Sequence, residues 1–275
     1  MKTKKSLGQH FLKSERALLT IIKTGSINAR DAILEIGPGT GVLTEKLLAA
    51  SCQVLAIEKD DKLYEFLKTK FEKYISLGKL KLIHGDALEL NPQSYQLEPR
   101  SYKLISNIPY NITGAILKKF LETDYQPKMI VLLIQKEVAK RIVAQDGKES
   151  ILSISIKAYG TPKYIETVKA GSFTPAPKVD SAIIAIENIS KEFFSLGQSR
   201  ALTISSEKDF FRMVRAGFKS KRKKLSSNLA TIFAKAKILE TFRKLDLDSN
   251  LRAEDVDLDT WKKLAAHLLG GSASK

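Results

Sequence analysis

Short apolar runs alternate with amphipathic stretches through the first two thirds of the chain, and this alternation constrains the fold more than any other feature. The runs Ala32–Ile36, Gln53–Ile57, Leu80–Ile83, Tyr102–Ser106 and Lys128–Gln135 carry their apolar residues nearly consecutively. Strands buried on both faces of a parallel sheet read this way. Between them, Val42–Ala50, Asp61–Ile75, Thr113–Thr123 and Lys136–Ala144 have the apolar spacing of helices. A β-α-β-α series of this kind predicts an α/β fold, a doubly wound, mostly parallel sheet with helices on both faces. Ile151–Ala158 and Ala182–Ile186 read as two more strands, joined by Pro-marked loops, and are expected to pair antiparallel at one edge.

Beyond about Ile189 strand signals nearly vanish, which predicts two domains: residues 1–188 around the sheet, and residues 189–275 as a small all-helical domain. In the second, Phe211, Val214, Phe218 and Leu225 recur at spacings of 3, 4 and 7, while Lys208, Arg212, Arg215, Lys219 and Arg222 recur at 4, 3, 4 and 3. Both patterns fit adjacent faces of one helix. Gly217 opposes that helix at a cost of about 1 kcal/mol relative to Ala and is a place where it could break. Further helices are expected over Leu229–Leu245 and Leu258–Leu269, with a frayed tail from Gly270.

Composition bounds the function. The 275 residues are 43% hydrophobic, ample for a core and too apolar for wholesale disorder. No apolar run approaches the roughly 18 to 20 residues of a membrane span, and the basic first dozen residues lack the apolar segment of a secretory signal. A lone cysteine, Cys52, excludes an internal disulfide and any cysteine-built metal cluster, and no metal site is expected. A soluble, cytoplasmic protein is the expectation. Lys and Arg number 46 against 30 Asp and Glu, a net charge of +16, which points to a polyanionic partner. The excess concentrates between Lys208 and Lys224, where eight basic residues face a single acid, Asp209. A solvated cationic face is the alternative reading of that run.

The strongest local motif is Glu35-Ile-Gly37-Pro-Gly39-Thr-Gly41, set between a predicted strand and a predicted helix. Its glycines allow a sharp turn and a close approach of backbone to ligand. The spacing is G-x-G-x-G, neither the dinucleotide G-x-G-x-x-G nor a P-loop, so a plain tight turn and a nicotinamide site remain open on the loop alone. Glu58 ends the second strand, 19 residues after Gly39, where a carboxylate accepts both hydroxyls of a ribose. Asp86 follows the third strand beside Ala87, where it could accept a hydrogen bond from an adenine amine. At successive strand ends on one sheet edge, these residues describe an adenosine pocket.

Asn107-Ile108-Pro109-Tyr110, after the fourth strand, supplies a chemistry. Pro109 biases Ile108 to an extended conformation, so that the Asn107 side-chain oxygen and the Ile108 carbonyl could both face the cleft. An exocyclic adenine amine is a poor nucleophile because its lone pair is delocalised into the ring. Two acceptors holding its hydrogens favour a pyramidal nitrogen with an exposed lone pair, and Tyr110 offers a stacking face. An Asn-Pro turn with a core tyrosine is the plainer reading.

Together these motifs resemble the ribosomal RNA adenine N6,N6-dimethyltransferases, a family of class I S-adenosylmethionine-dependent enzymes, along nearly the whole chain. The resemblance runs from Ser6-Leu-Gly-Gln-His-Phe-Leu12 through Glu35–Gly41, Glu58, Gly85-Asp86-Ala87 and Asn107–Tyr110. It continues through Gln135-Lys-Glu-Val138 with Arg141, Phe173-Thr-Pro-Ala-Pro-Lys-Val-Asp-Ser181 and Leu251-Arg-Ala-Glu-Asp255. It implies a Rossmann-like methyltransferase sheet, S-adenosyl-L-methionine as cofactor and S-adenosyl-L-homocysteine as product. His10 and Leu12 would border the methionine end of the cofactor, with Gly37 and Gly39 packed against it. Glu58 would hold its ribose, Asp86 and Ala87 its adenine, and Asn107 would sit between cofactor and target amine.

Phe173 would face Tyr110 across an extruded base, since an adenine stacked in an RNA helix cannot reach such a pocket. Relatives often carry Asn in place of His10 and Gly in place of Ser106. His84, His267, Trp261 and Cys52 read as structural. Arg212, Arg215, Lys219, Arg222 and Lys223 are the best candidates for RNA phosphate contacts, which position a nucleic acid without reading its sequence.

The bacterial branch implies dimethylation of two adjacent adenines near the 3′ end of small-subunit (16S) ribosomal RNA, within an immature subunit, by a monomer. The macrolide-resistance branch, which acts on large-subunit RNA, and a non-catalytic ribosome-assembly factor are the alternatives.

Overall fold

The computed structural model describes residues 9–195 and 206–270. Ser6–Gly8 of the N-terminal motif and the tail from Gly271 lie outside the described residues. The chain divides into two compact units, Met1–Ala139 with Thr161–Ile189, and Lys140–Gly160 with Ser190–Lys275.

In the first unit, β1 (Phe11–Leu12) leads into α1 (Glu15–Thr24), β2 (Ala32–Ile36), α2 (Val42–Ala49), β3 (Gln53–Glu58), α3 (Asp61–Lys70), α4 (Glu72–Ser76) and β4 (Leu80–His84). Then come β5 (Tyr102–Asn107), α5 (Thr113–Glu122) and β6 (Met129–Gln135); α6 (Lys136–Val143) spans the boundary between the units, and α7 (Ile151–Lys157) belongs to the second. The chain returns to the sheet through β7 (Thr161–Val168), β8 (Phe173–Thr174) and β9 (Ser181–Glu187).

The main sheet has the order β4-β3-β2-β5-β6-β9-β7. Neighbours from β4 to β6 are parallel, and β9 and β7 close one edge antiparallel. Strand order reverses between β2 and β5, and the crevice at such a switch point is where open α/β sheets bind ligands. Register pairing of β2 with β5 runs only from Ala32↔Tyr102 to Leu34↔Leu104. Beyond it the Ser106 hydroxyl bridges the parting strands. It accepts from the Ile36 N–H at 2.5 Å and donates to the Ile36 carbonyl at 3.0 Å. β1 and β8 form a separate antiparallel pair, with Leu12 opposite Phe173.

Two expectations for this half are corrected. Ile151–Ala158 is a helix over Ile151–Lys157, although its apolar residues alternate like those of a strand. Ser150 and Ser153 form a reciprocal capping box that satisfies the first turn, and Ser153, Ile154 and Ile156 are buried together. The edge strand is Thr161–Val168, whose largely polar sequence conceals it. The helix expected over Asp61–Ile75 breaks at Phe71, a 2% exposed side chain that packs against the glycine loop.

The second unit carries α8 (Glu192–Ser195), α9 (Glu207–Gly217), α10 (Leu225–Leu229), α11 (Lys235–Lys244) and α12 (Leu258–Leu269). Its core gathers Phe210, Met213 and Val214 from α9, Leu225 and Leu229 from α10, Ile238 from α11, and Trp261 and Leu264 from α12. The single helix expected to carry the whole basic stripe ends at Gly217. A Cβ there would stand 2.3 Å from Cη2 of the fully buried Trp261, so a glycine is required where α9 meets that ring. Lys219, Lys221, Arg222 and Lys223 therefore occupy the loop after α9, and only Lys208, Arg212 and Arg215 share the helix. The Asn228 amide pins that loop by donating to the carbonyls of Gly217 at 2.6 Å and Ser220 at 2.9 Å. The helix expected over Leu229–Leu245 is shorter, α11 over Lys235–Lys244, and Leu229 instead ends α10.

Candidate active site

The loop after β2 is built by the left-handed conformations of its glycines. At Gly41 (φ +79°) a Cβ would stand 2.5 Å from the Phe71 ring, and at Gly39 (φ +61°) it would meet the Phe11 ring at 3.1 Å. Side chains at those positions would push away the helix behind the loop or the N-terminal segment in front of it. The glycines thus let the loop backbone, whose Gly37, Gly39 and Gly41 N–H groups are held by the Ile57 carbonyl, the Glu58 carboxylate and the Pro38 carbonyl, line a cavity of about 250 Å³ at the carboxyl edge of the sheet.

Glu58, at the end of β3, is 5% exposed. Its Oε2 accepts from the Gly39 N–H at 3.1 Å and its Oε1 from the Asp60 N–H at 2.9 Å, so both oxygens are oriented and retain lone pairs for a ligand. Burial pushes its carboxyl above the usual carboxylate range, against those backbone donors. Glu35, at the root of the loop, is 1% exposed and accepts from the Thr44 hydroxyl at 2.7 Å. Burial, with a further contribution from the Glu58 charge, raises its carboxyl to about 8. At neutral pH Glu35 is therefore mainly a neutral acid.

Asp86, after β4, lies on the cavity wall with Ala87. Its Oδ1 accepts from the Leu88 N–H at 2.8 Å and its Oδ2 from the Lys59 ammonium at 2.6 Å. The Lys59 partner holds its carboxyl below the usual range.

At the switch point Asn107 ends β5 and directs its amide Nδ2 to the His10 carbonyl at 3.3 Å. Ile108, 2% exposed, and Pro109 carry the chain into Tyr110. The Tyr110 hydroxyl meets the buried Ser181 hydroxyl of β9 at 2.7 Å, which fixes the ring. Burial pushes the phenol above its ordinary range, which removes it as a base near neutral pH. The His10 ring lies over Tyr110 with centroids 5.8 Å apart and planes inclined at 24°.

One cavity thus unites His10, Leu12, Gly37, Gly39, Glu58, Asp86, Ala87 and Asn107–Tyr110. Phe173 is not among its lining residues. Its ring is 2% exposed in the sheet core, because the β1–β8 register turns it inward opposite Leu12 while Thr174 faces out. Glu35, Phe11, Lys59 and Asn111 also line the cavity and were not singled out from sequence. The pairing of Phe11 with Gly39 was hidden because it depends on a strand of two residues. Arg212, Arg215, Lys219, Arg222 and Lys223 lie in the second unit.

A doubly wound sheet with an antiparallel edge, opening this cleft at its switch point, is the architecture of the class I methyltransferases. It is shared with a solved 23S rRNA methyltransferase, ErmE (TM-score 0.74, 23% identity, covering 94% of this chain and 99% of that one). A dimethyladenosine transferase from Plasmodium falciparum is similar too (TM-score 0.77, 27% identity, covering 93% and 96%).

Among curated proteins, the ribosomal RNA small subunit methyltransferase A of Dehalococcoides mccartyi is 40% identical over 272 residues, 98% of this chain and 90% of the relative. The protein of the same name from Nostoc sp. is 37% identical over 281 residues, 98% and 99% of the two chains. Residues 1–268 match the ribosomal RNA adenine dimethylase family, and the chain belongs to it.

Proposed function

We propose that this protein transfers methyl groups from S-adenosyl-L-methionine to the N6 amines of two adjacent adenines near the 3′ end of small-subunit ribosomal RNA. The products are N6,N6-dimethyladenosine and S-adenosyl-L-homocysteine. The observation that carries the reading is the meeting, in one cavity, of the glycine loop, two carboxylates at successive strand ends and the Asn107–Tyr110 turn. The naming of the curated relatives favours the small subunit over the large-subunit alternative.

The residues fit an adenosine-bearing cofactor. The loop presents backbone without side chains to the cavity at its glycines, Glu58 keeps two oriented oxygens for ribose hydroxyls, and Asp86 offers an acceptor for an adenine amine. When bound, the cofactor supplies an electrophilic methyl group. The Asn107 Oδ1 and the Ile108 carbonyl accept the hydrogens of the target amine and bare its lone pair. Tyr110, anchored through Ser181, stacks against the base, a contact worth roughly 1–3 kcal/mol. The basic residues of the second unit hold RNA phosphates.

The expected setting is the bacterial cytoplasm, with the protein acting as a monomer on an immature small subunit. No helix of the described residues is long and apolar enough to cross a membrane. Labelled-methyl transfer to immature small subunits, free RNA and large subunits, with mapping of the modified bases, tests the reading. Dimethyladenosine in the small-subunit RNA is the expected result. Label confined to large-subunit RNA would transfer the assignment to the resistance-type activity.

A further inference from the structure

We infer that Asn228 is a positioning residue for RNA: it holds the basic loop between α9 and α10 in its binding shape before any RNA arrives. The inference rests on the reading that basic residues of the second unit hold RNA phosphates, and it deepens that reading.

The loop, residues 218–224, carries Lys219, Lys221, Arg222, Lys223 and Lys224, all exposed. Five like charges within six residues repel one another, and a loop left to that repulsion spreads over many shapes. All but one of those shapes must be given up when phosphates are gripped. A loose loop therefore binds weakly however many charges it carries.

The structure opposes that spreading from beneath. Asn228 lies on α10 and is 3% exposed. Its Nδ2 donates to the Gly217 carbonyl at 2.6 Å and to the Ser220 carbonyl at 2.9 Å. Both neighbours are acceptors, so the NH₂ end faces them and both of its hydrogens are used. The Gly217 carbonyl is one of those that a helix leaves without an internal partner at its end. Ser220 also accepts from the Lys223 N–H at 3.1 Å, which closes a turn around Lys221 and Arg222.

The far end of the loop is tied by the Leu225 N–H, which donates to the Leu251 carbonyl at 2.7 Å. Leu251 opens the Leu251–Asp255 motif, a stretch that takes no part in the cavity. The charges are thus presented on a loop fastened at both ends by uncharged groups.

Asn228→Leu in the full chain keeps the side-chain volume and removes both donors without altering any charge. Affinity for small-subunit RNA, measured by filter binding, should fall about tenfold or more, since the loop must then be ordered on binding. The slope of log affinity against log salt should stay at the wild-type value, because the same phosphates are neutralised once the complex forms. KM for RNA should rise with kcat kept, and calorimetric affinity for S-adenosylhomocysteine should not change. Amide hydrogen exchange gives a readout apart from activity. Without RNA, the Lys223 and Leu225 amides should be protected in the wild-type protein and exposed to exchange in the variant.

Unchanged RNA affinity in the variant would overturn the inference. So would a salt slope that flattens together with the affinity, which would mean that Asn228 sets the contacts themselves and not their readiness. Rapid exchange of the Lys223 and Leu225 amides in the wild-type protein would overturn it as well, whether or not the variant folds. If those amides are protected while charge reversal of Arg222 and Lys223 leaves RNA affinity unchanged, the loop geometry stands and the RNA reading falls.

Discussion

Asn107 and Glu35 show how differently two polar side chains serve one cavity. Asn107 presents an acceptor without a charge, so its removal should spare ligand binding and strike the transfer step. Asn107→Ala is expected to slow methyl transfer by roughly a hundredfold, the scale of losing one aligned polar group at a reacting centre. S-adenosylhomocysteine binding, measured by calorimetry, should stay within a few-fold of wild type. Equal losses in both would mean that Asn107 only shapes the cofactor pocket.

Glu35 acts through protonation. Its carboxyl titrates at about 8 in the fold, against 4.5 for the free side chain. Between those values the folded state holds a proton that the unfolded chain has released. Stability from this group is therefore present in full below pH 4.5 and is lost as pH rises toward 8. Glu35→Gln, which is neutral throughout, should gain stability relative to wild type as pH climbs from 5 to 9, by an amount on the order of a few kcal/mol. Urea unfolding at a series of pH values measures this. A difference that stays flat with pH would place an ionised carboxylate at Glu35.

At the scale of elements, the glycine that ends α9 makes a sharp test. Alanine would gain about 1 kcal/mol in helix propensity. Its methyl would nevertheless enter the space of Trp261, which is fully buried, and overpacking a core of this kind costs typically about 1–3 kcal/mol. Gly217→Ala should therefore lower the thermal midpoint, and a raised midpoint would show that the Trp261 ring is free to shift.

The same position marks the limit of what periodicity reveals. The apolar spacing of Phe211, Val214, Phe218 and Leu225 fits one continuous helix, and nothing local announces the indole 44 residues away that stops it. Ile151–Ala158 failed for the converse reason: alternation spoke for a strand, while a serine cap and burial decided for a helix. The parallel strands β2 to β6 were legible because double burial leaves unbroken apolar runs. The edge strand β7 was not, because its exposed face dilutes the pattern. Within the site, loop and strand-end residues declared themselves through their types. Contacts such as His10 to Pro175 or Tyr110 to Ser181 span 165 and 71 residues and become visible only in the fold.

For the whole molecule, the charge of +16 resolves into a cavity lined by three acids, Glu35, Glu58 and Asp86, and a basic loop held in place by Asn228. Reversing Arg222 and Lys223 to Glu should weaken binding to small-subunit RNA about equally for all sequences tested, and it should flatten the dependence of affinity on salt. Filter binding across a range of ionic strength measures both. A wild-type salt slope in the variant would remove these two side chains from the RNA footprint.

The ion pair between Lys59 and Asp86 gives ionic strength a second, opposite effect. An adenine amine seeking Asp86 competes with an ammonium already in contact at 2.6 Å, on a lysine that is 60% exposed. Dissolved salt loosens exposed pairs of this kind, so it should ease nucleoside capture even as it weakens the hold on a polyanion. Turnover then passes through a maximum at intermediate ionic strength. Replacing Lys59 with methionine should shift that maximum toward dilute buffer, because one of the two opposing responses would be gone.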